Sequence, residues 1–171
     1  MINSNLIRDI VEKGIAGTGI FLVDILVKPT CSIYVFIDGE TGVSVEDCAK
    51  ISRLIENNLN RDEADFELQV SSPGITQPFK VIKQYKKNIG NDIDIVFTDG
   101  SKQRGMLEQV QEEKIEISWK SKESIKNIAG TKDKQLITKK MIDLKNIKTI
   151  KIIKTHIDLK FYMVQYKSSL T

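Results

Sequence analysis

Val70-Ser71-Ser72-Pro73-Gly74-Ile75-Thr76-Gln77-Pro78-Phe79 is the stretch that divides the chain. Pro73 holds the residue before it in extended backbone, Gly74 permits a sharp turn after it, and Pro78 removes a further backbone donor. Neither a helix nor a strand ladder runs through such a segment. A chain of 171 residues has room for one medium domain or two small ones. The break decides for two, over residues 1–72 and 81–155, with 73–80 as linker and 156–171 as a tail.

Upstream of the break, Leu6, Ile7, Ile10, Val11 and Ile15 fall near helical spacing over Asn5 to Ala16, with Gly14 and Gly17 at the far end, which predicts a first helix. Ile20 to Val27 and Cys31 to Ile37 are β-branched apolar runs separated by Lys28-Pro29-Thr30, a pattern that suits a hairpin. In the second run Cys31, Ile33, Val35 and Ile37 point one way, Tyr34 and Phe36 the other. Ser44 followed three residues later by Asp47 is a capping-box signature, and Cys48, Ile51, Leu54, Ile55 and Leu59 then repeat at three and four. From Asp65 to Ser71, Phe66, Leu68 and Val70 alternate with polar residues, as in a strand buried on one face. The order helix, strand, strand, helix, strand predicts a two-layer αββαβ domain of the α+β class, both helices on one side of a three-stranded sheet.

Downstream, a short basic amphipathic segment over Val81 to Asn88 leads to Asp92 to Thr98, where Ile93, Ile95 and Phe97 alternate with polar residues. Asp99-Gly100 is a hairpin signal. Lys102 to Val110, a Glu112-Glu113 turn and Lys114 to Trp119 complete a meander; Lys120 to Lys134 reads as a long loop. Leu136 to Ile142 and Thr149 to Ile153 supply two more short strands around a turn at Leu144 to Ile147. Five short strands predict a small closed all-β barrel, since closure removes exposed edges.

The formal net charge of +3 conceals a division at the same break. Residues 1–79 carry 6 basic and 12 acidic side chains, net −6, and residues 80–171 carry 20 and 11, net +9. A basic half of that size points to an anionic partner. Its charge is mostly lysine: Lys80, Lys83, Lys86 and Lys87 form one cluster, and Lys120, Lys122, Lys126, Lys132, Lys134, Lys139 and Lys140 stud the long loop and its exit. Lysine offers point charge without a bidentate fork, so these eleven candidates predict attachment to phosphates rather than sequence readout.

Other chemistry lacks partners. His156, the sole histidine, has no cysteine or carboxylate cluster beside it, and Ser71-Ser72-Pro73-Gly74 lacks the strand-turn-helix setting of a nucleophile. The carboxylates at Asp38/Glu40/Glu46/Asp47 flank a helix start, and those at Asp62/Glu63/Asp65/Glu67 alternate along a strand; neither has calcium-loop spacing. Gly14-Ile15-Ala16-Gly17 and Gly39-Glu40-Thr41-Gly42 match the G-x-x-G of backbone-clamping loops, but the first ends a helix and the second carries a repelling carboxylate. Tyr34 and Phe36 share a strand face on which bases could stack, with packing under a helix as the alternative. Cys31 and Cys48 suit reduced, buried thiols. No apolar run approaches a membrane span and no secretory signal opens the chain, so a cytoplasmic protein without catalytic residues, cofactor or metal is expected.

Two motifs taken together, Gly42-Val43-Ser44-Val45-Glu46-Asp47-Cys48-Ala49-Lys50-Ile51-Ser52-Arg53 and Val70 to Phe79, resemble those of the bacterial RimP family of ribosome maturation factors, over residues 5 to 155. The resemblance implies that the second domain is an Sm-like (SH3-like) barrel. It further implies a non-enzymatic, monomeric assembly factor that binds the free small (30S) ribosomal subunit, meeting rRNA and small-subunit ribosomal protein twelve. The sequence departs from the family at Thr76 and Gln77, where Asp and Arg commonly follow the Pro-Gly, which removes a linker arginine and leaves Lys80 as the nearest cation. General RNA-binding and ribosomal-protein adaptor roles are the alternatives.

Overall fold

The computed structural model describes residues 3–59, 66–127 and 130–153, with the backbone alone over 122–127 and 130–135. His156 with the rest of the tail, and Asp62, Glu63 and Asp65, lie outside the described residues. The chain separates into two units, Met1–Gly74 and Ile75–Thr171.

In the first unit, α1 (Ser4–Ile15) begins where the Asn3 side chain accepts from the Asn5 N–H at 2.9 Å, and it buries Ile7, Ile10, Val11 and Ile15. It stops where Gly17 turns to φ +75°, so the G-x-x-G there is a helix end. β1 (Ile20–Val27) and β2 (Ser32–Gly39) pair antiparallel with a bulge between Leu22 and Asp24. α2 (Val45–Asn58) opens on a complete capping box: Ser44 Oγ accepts from the Asp47 N–H at 3.1 Å, and Asp47 Oδ2 accepts from the Ser44 N–H at 3.0 Å. The helix then carries the chain over the sheet so that β3 (Glu67–Ser71) lies parallel to β2, a pairing that a hairpin cannot make. Ile33, Val35 and Ile37 of β2 are almost fully buried and share one core with Ile7, Ile10, Val11, Ile51, Ile55 and Phe66, so both helices cover the same sheet face.

Cys31 departs from the sequence reading. It is not the first residue of β2 but the third of the loop Pro29-Thr30-Cys31, at φ +58°, with its N–H on the Lys28 carbonyl at 3.0 Å. A three-residue hairpin loop needs a left-handed residue in its last position to bring the strands back into register, and here cysteine occupies it. Cys31 and Cys48 are half-buried rather than buried, both thiols are free, and burial followed by the Asp47 charge pushes the Cys48 thiol up.

In the second unit, α3 (Ile82–Lys87) precedes β4 (Asp92–Phe97), β5 (Lys102–Val110), β6 (Lys114–Asn127), β7 (Gly130–Asp143), a 3-10 turn at Leu144–Asn146 and β8 (Ile147–Ile152). The strands lie in the order β7-β6-β5-β4-β8. Phe79 already belongs to this unit: its N–H meets the Ile150 carbonyl at 2.8 Å and its ring packs edge-on against Tyr85 at 5.3 Å. Ile93, Ile95, Leu107, Ile115, Ile117, Ile142 and Ile150, drawn from all five strands, form one core. β5 pairs with β4 through Lys102 to Met106 and with β6 through Met106 to Val110, with a register shift between Leu107 and Gln109. Gly105 permits the close approach of the β6 backbone, because a Cβ there would stand 2.6 Å from the Ser118 carbonyl oxygen.

The α+β class is met, and one expectation changes. Among the described residues the second unit's hydrogen-bonded sheet has β7 and β8 at its edges, with no ladder joining them. Residues 120–127 and 130–134 are strand rather than loop: β6 and β7 stay paired from Lys114↔Asp143 out to Asn127↔Gly130. The lysine-rich composition that suggested a loop concealed a continuous ladder, in which antiparallel pairing satisfies the backbone whatever the side-chain polarity.

Candidate nucleic-acid interface

The lysine cluster at the start of the second unit is set by a buried amide. Gln84 is 4% exposed, and its Oε1 accepts from the Lys80 N–H at 2.7 Å and the Val81 N–H at 3.3 Å, which fixes the entry to α3. Asn88, also buried, donates from Nδ2 to the Gln84 carbonyl at 2.7 Å and closes the other end. With Gln84, Tyr85 and Asn88 turned inward, Lys83 and Lys86, three apart, occupy the opposite side, and Lys87, three residues past Gln84, lies at the boundary between the two. Lys80, Lys83 and Lys86 are exposed and Lys87 is half-buried. Burial raises the Tyr85 phenol above its ordinary range, so it remains neutral.

The other seven candidates lie on the β6–β7 pair. Lys120 is exposed opposite Ile137, and Lys139 and Lys140 are exposed on β7 opposite Ser118 and Ile117. Lys122, Lys126, Lys132 and Lys134 occupy register positions opposite Gln135, Thr131, Ile125 and Glu123; their side chains lie outside the described ones. Lys139 is not fully available, since its Nζ lies 3.8 Å from Glu108 Oε1, which also accepts from Ser118 Oγ at 2.6 Å. The structure thus assembles two groups, one on α3 and one along β6–β7.

Further exposed cations escaped the sequence reading. Lys102, Lys148 and Lys151 lie on β5 and β8, and Arg104 and Lys114 are tied to Asp94 at 2.6 Å and Asp143 at 3.6 Å. They are scattered over β5, β6 and β8, and only the sheet order brings Lys151, Asp94 and Arg104 into one row across β8, β4 and β5.

In the first unit, Tyr34 and Phe36 share one sheet face, as expected; that face lies away from the helices rather than under one, and both residues are half-buried. Lys28 Nζ stands 4.7 Å from the Tyr34 ring centroid. The third aromatic on that face, Phe21, is 3% exposed and offers no platform. Asp47 faces a cleft lined also by Gly14, Thr18, Glu40 and Lys50, but the carboxylate is committed to the cap, and its bonds from Ser44 hold it below the usual carboxylate range.

Comparison with known proteins decides what this two-unit arrangement is. Residues 10–76 match the RimP N-terminal domain family. The ribosome maturation factor RimP of Flavobacterium psychrophilum is 38% identical over 118 residues, 68% of this chain and 76% of the relative. The chain belongs to the RimP family. RimP of Porphyromonas gingivalis is 35% identical over 117 residues, covering 68% of this chain and 77% of the relative, and that of Christiangramia forsetii 39% over 107 residues, covering 63% and 69%. Within the family match fall the capping box, α2 and the stretch through Thr76, so the RimP N-terminal domain is the acidic unit and the candidate lysines all follow it.

Proposed function

We propose that the chain is a non-enzymatic ribosome maturation factor that binds the free small ribosomal subunit in the cytoplasm as a monomer, without a cofactor. The names of its RimP relatives support ribosome maturation, and the finer reading rests on the charge division. An acidic unit, net −6 through Phe79, precedes a basic one, net +9, whose Lys80 leads into a short helix carrying Lys83, Lys86 and Lys87 and whose Lys120 and Lys122 to Lys140 follow a paired ribbon. We assign those eleven lysines to rRNA phosphates and the neighbouring sheet surface to small-subunit ribosomal protein twelve. The second unit is on this reading an Sm-like barrel, bounded by the 73–80 linker. Its five strands sharing one core and the change of partner along β5 support that class.

The test is sedimentation of the purified chain with free small subunits across a salt series. Co-migration at low salt that falls steeply as salt rises is expected, because phosphate contacts release counterions. No co-migration at low salt removes the reading. Displacement by bulk tRNA at equal concentration would make the chain a general RNA-binding module, and binding to the ribosomal protein with no salt dependence would make it an adaptor.

A further inference from the structure

The ladder between β5 and β6 ends at Met106↔Ser118, whereas β6 and β7 continue through nine more pairs, from Trp119↔Thr138 to Asn127↔Gly130. At about 3.4 Å per residue these pairs form a two-stranded arm roughly 30 Å long, with no third strand beside it among the described residues. Its base is anchored: Trp119 packs into the core, and the Ser121 and Thr138 hydroxyls bond at 2.8 Å. Beyond the base, the arm leaves Ile137 71% exposed. Over residues 120–137 the arm carries Lys120, Lys122, Lys126, Lys132 and Lys134 against Glu123 and Asp133, net +3.

A two-stranded ribbon standing alone is marginal in water, so an arm of this length gains most of its order from what it lies on. Its width suits a nucleic-acid groove, and the wide, shallow minor groove of A-form RNA is the one a ribbon can enter. All five cations are lysines, which suit phosphates and not base edges. We propose that the β6–β7 arm is an RNA-duplex probe, laid across the minor groove of a double-helical segment with Lys122, Lys126, Lys132 and Lys134 on the flanking phosphates. This proposal deepens the small-subunit reading by naming the contacting element and its ligand.

Two full-chain variants test it. In one, Lys122, Lys126, Lys132 and Lys134 are each changed to Gln; in the other, residues 122–135 are replaced by Asn-Gly, closing the ladder at Ser121↔Leu136 with a two-residue turn. Each is measured on free small subunits and on a plain RNA duplex of about 20 base pairs, with thermal melting as the check on folding. The charge variant is expected to bind the duplex at least tenfold more weakly at 150 mM salt, with a log–log salt slope shallower by about 3. Wild-type affinity and slope in either folded variant overturn the proposal, as does weaker subunit binding with an unchanged slope, which would place the arm on protein. Failure of the intact chain to bind subunits overturns the small-subunit reading alone, provided that arm-dependent binding to the duplex persists; if that is absent too, both fall.

Discussion

Replacing Gln84 by Leu separates what holds the lysine helix from what the lysines do. The amide oxygen of Gln84 accepts from both the Lys80 and Val81 N–H groups, at 2.7 and 3.3 Å, inside a site where the residue is 4% exposed. Leucine matches the volume closely but offers no acceptor, so two backbone donors at the entry to α3 lose their partner. Both bonds are part-buried, so the two donors together lose about 1–3 kcal/mol, the cost of one fully buried unmade donor. In a unit of this size 1 kcal/mol moves the melting midpoint by roughly 4–8 °C, so Gln84→Leu is expected to lower the second unit's transition by about 4–24 °C. Lys86→Gln provides the contrast: the side chain is exposed, and its loss is expected to leave melting within about 2 °C of wild type while weakening subunit binding. Differential scanning calorimetry and sedimentation on the same preparations read the two effects. A Gln84→Leu protein that melts within about 2 °C of wild type refutes the reasoning, because the two N–H groups would then be satisfied without the amide.

The remaining predictions bear on particular contacts. Changing Lys83, Lys86 and Lys87 together to Gln removes up to three phosphate contacts and is expected to flatten the log–log salt slope of subunit binding by about 2–3, with far-ultraviolet circular dichroism unchanged; a wild-type slope would take the cluster out of the interface. Ser44→Ala removes the α2 cap and is expected to cost about 1 kcal/mol in urea denaturation. Asp47 carries the pH dependence of that cap: its folded-state pKa lies below its unfolded one, so the contribution is complete at neutral pH and is lost as pH falls below about 4 and through the lowered value. Ser44→Ala is accordingly expected to flatten the acid-unfolding profile, and an unaltered profile contradicts the linkage. Gly105→Ala drives a methyl against the Ser118 carbonyl oxygen at 2.6 Å and is expected to cost about 1–3 kcal/mol, read as a lower melting midpoint of the second unit.

The first unit was legible because its signals are local. The capping box at Ser44 and Asp47, the three-four spacing of Ile51 and Ile55, and the alternation at Phe66, Leu68 and Val70 each depend on residues within a few positions of one another. Cys31 was misread because φ > 0 is foreign to cysteine and is dictated by the length of the loop, not by the residue. In the second unit the strands around Ile93, Ile95, Ile115 and Ile117 stand out for the same reason, whereas the β6–β7 ladder beyond Trp119 does not. There the strand state comes from pairing between positions up to 17 residues apart, Lys120 with Ile137, and no apolar alternation records it. The α3 lysines were legible as a cluster, but their setting was not, since nothing in the sequence distinguishes a buried, twice-accepting Gln84 from a solvated one.

The kind of cation matters as much as the count. From residue 80 onward the chain holds a single arginine, Arg104, and Asp94 already engages it at 2.6 Å on Nε. The planar fork that reads a guanine edge or clamps one phosphate in two bonds is therefore occupied within the sheet. What remains for an anionic partner is lysine: compact, strongly hydrated charges that contribute through counterion release and hold no fixed hydrogen-bond geometry. Binding built this way is additive over many weak contacts, tolerant of sequence and sharply dependent on ionic conditions. It also releases readily, since each contact can be exchanged for a salt ion without a buried partner being left unsatisfied. A factor attached in this manner can recognise a folded RNA surface by the placement of α3 and the β6–β7 arm and leave when that surface changes shape, with no chemical step required to let go.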